Sequence, residues 1–177
     1  MNTSSDDKIL TMLCERVFAE ALPDCTLLDT TDQDSEEVEL VAVVGFSGDD
    51  TRGVLGVSAP PELLEQFHPA TSAGESPSPE QLRDWAGELA NQLLGRLKIE
   101  LRPYGVRFWV ATPVVLRGVI VRIMNASHEH IHKYTLTSNG ERIRVWLDLT
   151  LEEGKHLQLV EEAEGDSDMR AGNILFF

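Results

Sequence analysis

Glu88 and Asn91 stand three residues apart in this chain, and Asp84, Gly95 and Lys98 continue the series at intervals of three and four. At about 100 degrees per residue, an α-helix gathers these five positions into one stripe roughly 80 degrees wide. A carboxylate can pair with a cation. An amide offers an acceptor and two donors, so it can orient a water or a polar group without having to titrate. Asn and Gly are poor helix formers, Gly costing about 0.8 to 1 kcal/mol against Ala, and on a face turned from the core no packing reason favours them. A bare glycine would let another molecule lie close to the helix where Glu88 and Asn91 project as neighbours. The stripe therefore reads as a contact surface. The plainer alternative is a solvated face on which Asn91 and Gly95 are merely tolerated, and spacing alone names no reaction.

The helix that must carry this stripe is well marked. Ser78 precedes Pro79, and Gln81 follows the serine by three residues. An N-cap hydroxyl, a proline at the first helical position and a capping-box partner thus coincide. Leu82, Ala86, Leu89, Leu93 and Leu97 fall on one face, with Trp85 and Ala90 at its margins, and that face is predicted to be buried. Upstream, Ile9, Leu13, Val17 and Ala21 recur every four residues and predict an amphipathic helix closed before Pro23. Strand-like sequence from Val38 to Val43, a turn over Gly45 to Asp50 and extended sequence from Val54 to Ser58 predict a hairpin. Pro60 and Pro61 open a short helix through Phe67, and residues 68 to 78 are expected to form a loop.

Beyond the central helix, β-branched and aromatic residues predict strands over Val106–Leu116, Val119–Met124, His130–Leu136 and Arg142–Leu151, the last following a Ser138-Asn139-Gly140 turn. Helices flanking a largely antiparallel sheet give an α+β fold. A single domain is expected over residues 1–160, with 161–177 an acidic tail whose last residues, Ile174 to Phe177, are apolar enough to dock.

Thirty acidic against fifteen basic side chains leave a net charge of -15. Phosphate-backbone binding draws on clustered Lys and Arg, so nucleic acid is not an expected partner. The same surplus would repel anionic lipid, and no apolar run approaches the roughly 20 residues that span a bilayer. The polar, acidic start lacks the pattern of a signal peptide, and Cys14 and Cys25 read as reduced thiols, so a cytoplasmic location is expected. His128, His130 and His132 alternate and could share a strand face suited to zinc or nickel, but no carboxylate joins them by local spacing; a solvated strand end is preferred, and no metal is expected. Gly45-Phe46-Ser47-Gly48 lacks the lysine of a phosphate-binding loop, and no Gly-x-Ser-x-Gly elbow is present.

Asp84, Glu88, Asn91 and Gly95, with Pro113 further on, resemble the signature of the CheC, CheX and FliY phosphatases of chemotaxis. Gly45-Phe46-Ser47-Gly48, Gly53-Val54, and Thr112-Pro113 followed by Gly118 extend the resemblance over roughly residues 38 to 118. One copy of the helical signature is present, as in the CheX branch, whereas CheC-type relatives carry two. The resemblance implies an enzyme that hydrolyses the aspartyl phosphate of a CheY-type receiver. It makes Asn91 the residue that orients the attacking water and Glu88 the anchor to a receiver lysine, with Asp84, Gly95 and Lys98 on the partner-binding face. It also implies a homodimer, and a Mg2+ held by the receiver rather than by this chain. A non-catalytic module docking on a receiver through the same face is the second hypothesis, and a component of the flagellar switch the third.

Overall fold

A computed structural model describes residues 4–28, 38–119 and 131–160. The chain starts with helix α1 (Ser5–Ala21), then strand β1 (Thr26–Leu28). The hairpin of β2 (Val38–Ser47) and β3 (Thr51–Ala59) follows, then the short helices α2 (Pro61–Phe67) and α3 (Pro69–Ser72). Helix α4 (Pro79–Leu101) runs into a single 3-10 turn (Arg102–Tyr104), and β4 (Trp109–Val110), β5 (Val114–Val119), β6 (Ile131–Ser138) and β7 (Glu141–Leu151) complete the order. Among the described residues seven strands form one sheet in the order β1-β6-β7-β3-β2-β4, with β5 also on β2 and every pairing antiparallel. This is the expected α+β fold.

One face of the sheet carries the core. Leu40, Ala42, Val44 and Phe46 of β2 point to the same side as Leu55 and Val57 of β3 and Ile143, Val145 and Leu147 of β7, as the period of two requires. Onto them pack Leu13, Val17 and Phe18 of α1, Leu63 and Leu64 of α2, and the leucines of α4. Helix α1 begins at Ser4, whose hydroxyl accepts from the Asp7 N–H while the Asp7 carboxylate accepts from the Ser4 N–H. This second capping box lies upstream of the periodic residues on which the sequence reading rested.

Three expectations need correction, and one strand, β1, was not foreseen. The turn of the first hairpin is confined to 48–50, because Gly45, Phe46 and Ser47 remain paired with Val54, Gly53 and Arg52. The loop after Phe67 contains α3, whose Pro69 occupies a first helical position behind an N-cap in which His68 Nδ1 accepts from the Ala70 N–H. The strand predicted over Val106–Leu116 is broken: β4 and β5 are separated by residues 111–113, since Pro113 has no N–H to give a ladder. Strand β1 is too short to show a period. The Asn139-Gly140 turn between β6 and β7 is as expected, with both residues at positive φ (52° and 88°). The strand expected over Val119–Met124 lies, beyond Val119, outside the described residues, as do His128, His130 and the tail from 161.

Candidate functional site

Helix α4 starts where its sequence says it should. Ser78 Oγ accepts from the Gln81 N–H at 3.2 Å and Gln81 Oε1 accepts from the Ser78 N–H at 2.7 Å. Leu82, Ala86, Leu89, Leu93 and Leu97 are buried as predicted, joined by Gly87, Ala90, Leu94 and Leu101. The chain beyond the helix turns back and passes alongside it. A Cβ at Gly87 would stand 3.3 Å from Val115 Cγ2 and 3.4 Å from Pro113 Cγ, and Lys98 Nζ lies 5.8 Å from the centre of the Phe108 ring. Gly87, Asn91 and Lys98 fall within about 40 degrees on the helix. Asn91 is therefore set at the seam between α4 and the 108–115 segment.

This position refines the expected stripe. Asp84 and Glu88 are exposed, while Asn91, Gly95 and Lys98 are half-buried. The Oδ1 atom of Asn91 is buried and has no hydrogen-bond partner among the described residues. Glu88 Oε1 accepts from Gln92 Nε2 at 2.9 Å, one turn further along the helix. A neutral amide holds the carboxylate there without cancelling its charge. At Gly95 an added Cβ would meet nothing within 4 Å, so the backbone is open to a neighbour. Asp84 belongs to a separate small network, with Arg83 3.2 Å from its carboxylate and 3.6 Å from that of Glu80.

Five residue types thus meet along one helix edge: an exposed carboxylate, a half-buried amide, a bare glycine, a lysine over an aromatic ring and a proline across the seam. Such an arrangement can grip a cation with Glu88 and position a small polar molecule with Asn91. The sequence reading missed Gly87, since a glycine on the buried side of a helix shows no period, and Gln92, whose i to i+4 relation to Glu88 was legible. Among the described residues no three His, Cys, Asp or Glu side chains gather as a metal site. His132 instead lies 3.4 Å from Asp7 at the start of α1. No helix among the described residues is long and apolar enough to cross a membrane.

Comparison with known proteins agrees with this fold. Solved structures with the same fold include the chemotaxis protein CheX from Vibrio vulnificus, 20% identical with a TM-score of 0.66 and covering 83% of this chain and 100% of that one. A chemotactic CheC-like protein from Shewanella oneidensis is 21% identical with a TM-score of 0.65, over 82% of this chain and 97% of its own. A CheX–CheY–BeF3–Mg complex from Borrelia burgdorferi contains a chain 15% identical with a TM-score of 0.61, over 82% and 97%. No curated protein sequence matches significantly. The family described as chemotaxis phosphatase CheX matches residues 40–137, more than half of the chain, and with them the helix that bears Glu88 and Asn91. The chain belongs to the CheX family of chemotaxis phosphatases.

Proposed function

We propose that this phosphatase hydrolyses the aspartyl phosphate of a CheY-type receiver by inserting the Glu88–Asn91 edge of α4 into the receiver's active site. The observation that carries the reading is the pairing of an exposed Glu88 with a half-buried Asn91 one turn away on a helix whose next turn is bare at Gly95. A phosphorylated receiver supplies the electrophile, and its Mg2+ is held by the receiver's own residues; the Borrelia complex pairs a CheX with CheY, BeF3 and Mg. Phosphoryl transfer asks the enzyme chiefly for alignment and charge stabilisation. Glu88, steered by Gln92, pairs with a receiver lysine and sets the depth of insertion. Asn91 orients the water. Among the described residues its Oδ1 has no hydrogen-bond partner to hold it inward, so rotation of the amide can bring the oxygen outward to accept from that water.

The test is loss of phosphate from a panel of phosphorylated receivers of the same organism, with wild type, Glu88→Ala and Asn91→Ala side by side. Acceleration by wild type, abolished by either substitution, supports the reading. Binding without acceleration would make the chain a docking module.

Two further parts of the reading concern context. A cytoplasmic location follows from the partner, because CheY-type receivers are cytoplasmic signalling domains. A homodimer is favoured by the broken edge of the sheet. Strand β5 pairs with β2 alone among the described strands, and Trp109, Val114 and Leu116 are exposed there on the face turned from the helices. Light scattering should give a dimer mass that Leu116→Glu reduces to a monomer; a wild-type monomer would rule the dimer out.

A further inference from the structure

Ile99 is 70% exposed in the middle of an ordered helical turn. Single exposed apolar side chains are common on soluble proteins. Ile99 is set apart by its alignment. It follows Glu88 by three helical turns and only about 20 degrees, and stands about 16 Å further along the axis. Gly95 lies between them on the same line, with nothing within 4 Å of where its Cβ would be. A β-branched residue gains nothing in helix propensity at such a position, and here it gains no packing. Just beyond the Glu88 margin of the stripe the helix therefore carries an aliphatic knob, with Gln92 and the bare backbone of Gly95 between it and the carboxylate.

We infer that Ile99 is a specificity-determining contact of this phosphatase, an apolar anchor that seats in a hydrophobic depression of the receiver about 16 Å from the phosphoryl site. The inference rests on the docking of a receiver along the Glu88–Asn91 edge. It adds the chemical character of the right receiver: a cationic group for Glu88 and, three helical turns away, a patch able to bury a branched aliphatic side chain. Glu88 and Asn91 serve any phosphorylated receiver alike, because they address the parts that make it one. Ile99 reaches beyond those parts and so can discriminate. Removing a buried aliphatic anchor from an interface weakens it by about tenfold or more, an effect carried by KM while the chemical step is unchanged.

Wild type, Ile99→Ala, Ile99→Glu and Asn91→Ala are compared for phosphate loss from each receiver of the panel, for calorimetric binding to the same receivers loaded with beryllofluoride, and for thermal unfolding. Ile99→Ala should raise KM about tenfold on the preferred receiver, Ile99→Glu more, with kcat retained and unfolding temperature unchanged; Asn91→Ala should instead lose kcat. The preference among receivers should flatten in both Ile99 variants. If a receiver is bound without hydrolysis, weaker binding by Ile99→Glu still supports the anchor while the catalytic reading fails. Unchanged KM and binding in both variants would overturn the anchor and leave the phosphatase standing. A change in self-association mass with no change toward receivers would assign Ile99 to a second copy and overturn it also. Failure of wild type to bind or dephosphorylate any receiver would overturn both.

Discussion

Gly87 of α4 and Pro113 before β5 meet across the seam that holds Asn91, a Cβ on the glycine reaching to 3.4 Å from the proline Cγ. Helix and edge strand approach this closely because one of them has no side chain. Gly87→Leu forces the seam open against Pro113 and Val115 and should cost about 1 to 3 kcal/mol of stability. Phosphatase activity should fall with it, since Asn91 loses its setting. Urea denaturation alongside the phosphate-loss assay checks this, and a variant as stable and active as wild type would remove the seam from the account.

Gly95→Leu acts in the opposite sense on stability. Space is open at that position, and replacing glycine by a good helix former should stabilise the protein by about 0.5 to 1 kcal/mol. The new side chain stands on the docking line between Glu88 and Ile99, so receiver binding should weaken at least tenfold. A protein that melts higher yet binds worse is the expected result; unimpaired binding would show that no partner lies against this turn.

Lys98→Glu addresses the approach of an acidic protein to an anionic phosphoryl site. The chain carries a net charge of -15. Arg83 is already engaged with Asp84 and Glu80. Lys98, held near the Phe108 ring at the same seam as Asn91, is the better-placed cation. Charge reversal should slow association several-fold at low salt and progressively less at high salt. Stopped-flow association rates that do not change would deny Lys98 this part.

Alkaline pH should loosen the junction of α1 and β6. Burial pushes the Cys14 thiol up from 9.0 to about 12, and burial likewise raises Tyr134, which stands against it. Cys25 is raised to about 11, first by burial and then by Asp24. Because the unfolded thiols release their protons first, stability is fully present below about pH 9 and is lost as pH rises from there toward about 12. The urea midpoint should fall over this range, and Cys14→Ala should reduce its slope. An unchanged slope would place the titration elsewhere.

Much of this was legible before any fold was known. Helix α4 announced itself through Ser78, Pro79 and Gln81 and through a leucine period, and both signals are local. The α+β architecture followed from counting elements of each period. Local signals failed where a distant residue decided the outcome. Pro113 marked the break between β4 and β5 locally, but that both pieces pair with β2 was not legible, and the true extent of the first hairpin depends on a ladder that carries past Gly45. Ile99 was visible at its helical position, but a reading centred on polar residues passed over it.

By itself the sequence determined which residue types share one edge of α4, because helical spacing and a capping box need only neighbours in the chain. It determined the family as well, since that is carried by the same pattern. Tertiary structure alone decided how deeply each of those residues sits. Asn91 is half-buried and Glu88 exposed because the 108–115 segment, returning some twenty residues later, packs against one flank of the helix at Gly87 and Lys98 and leaves the other flank open. Depth is a property of two packed elements, and the spacing within one of them holds no record of it.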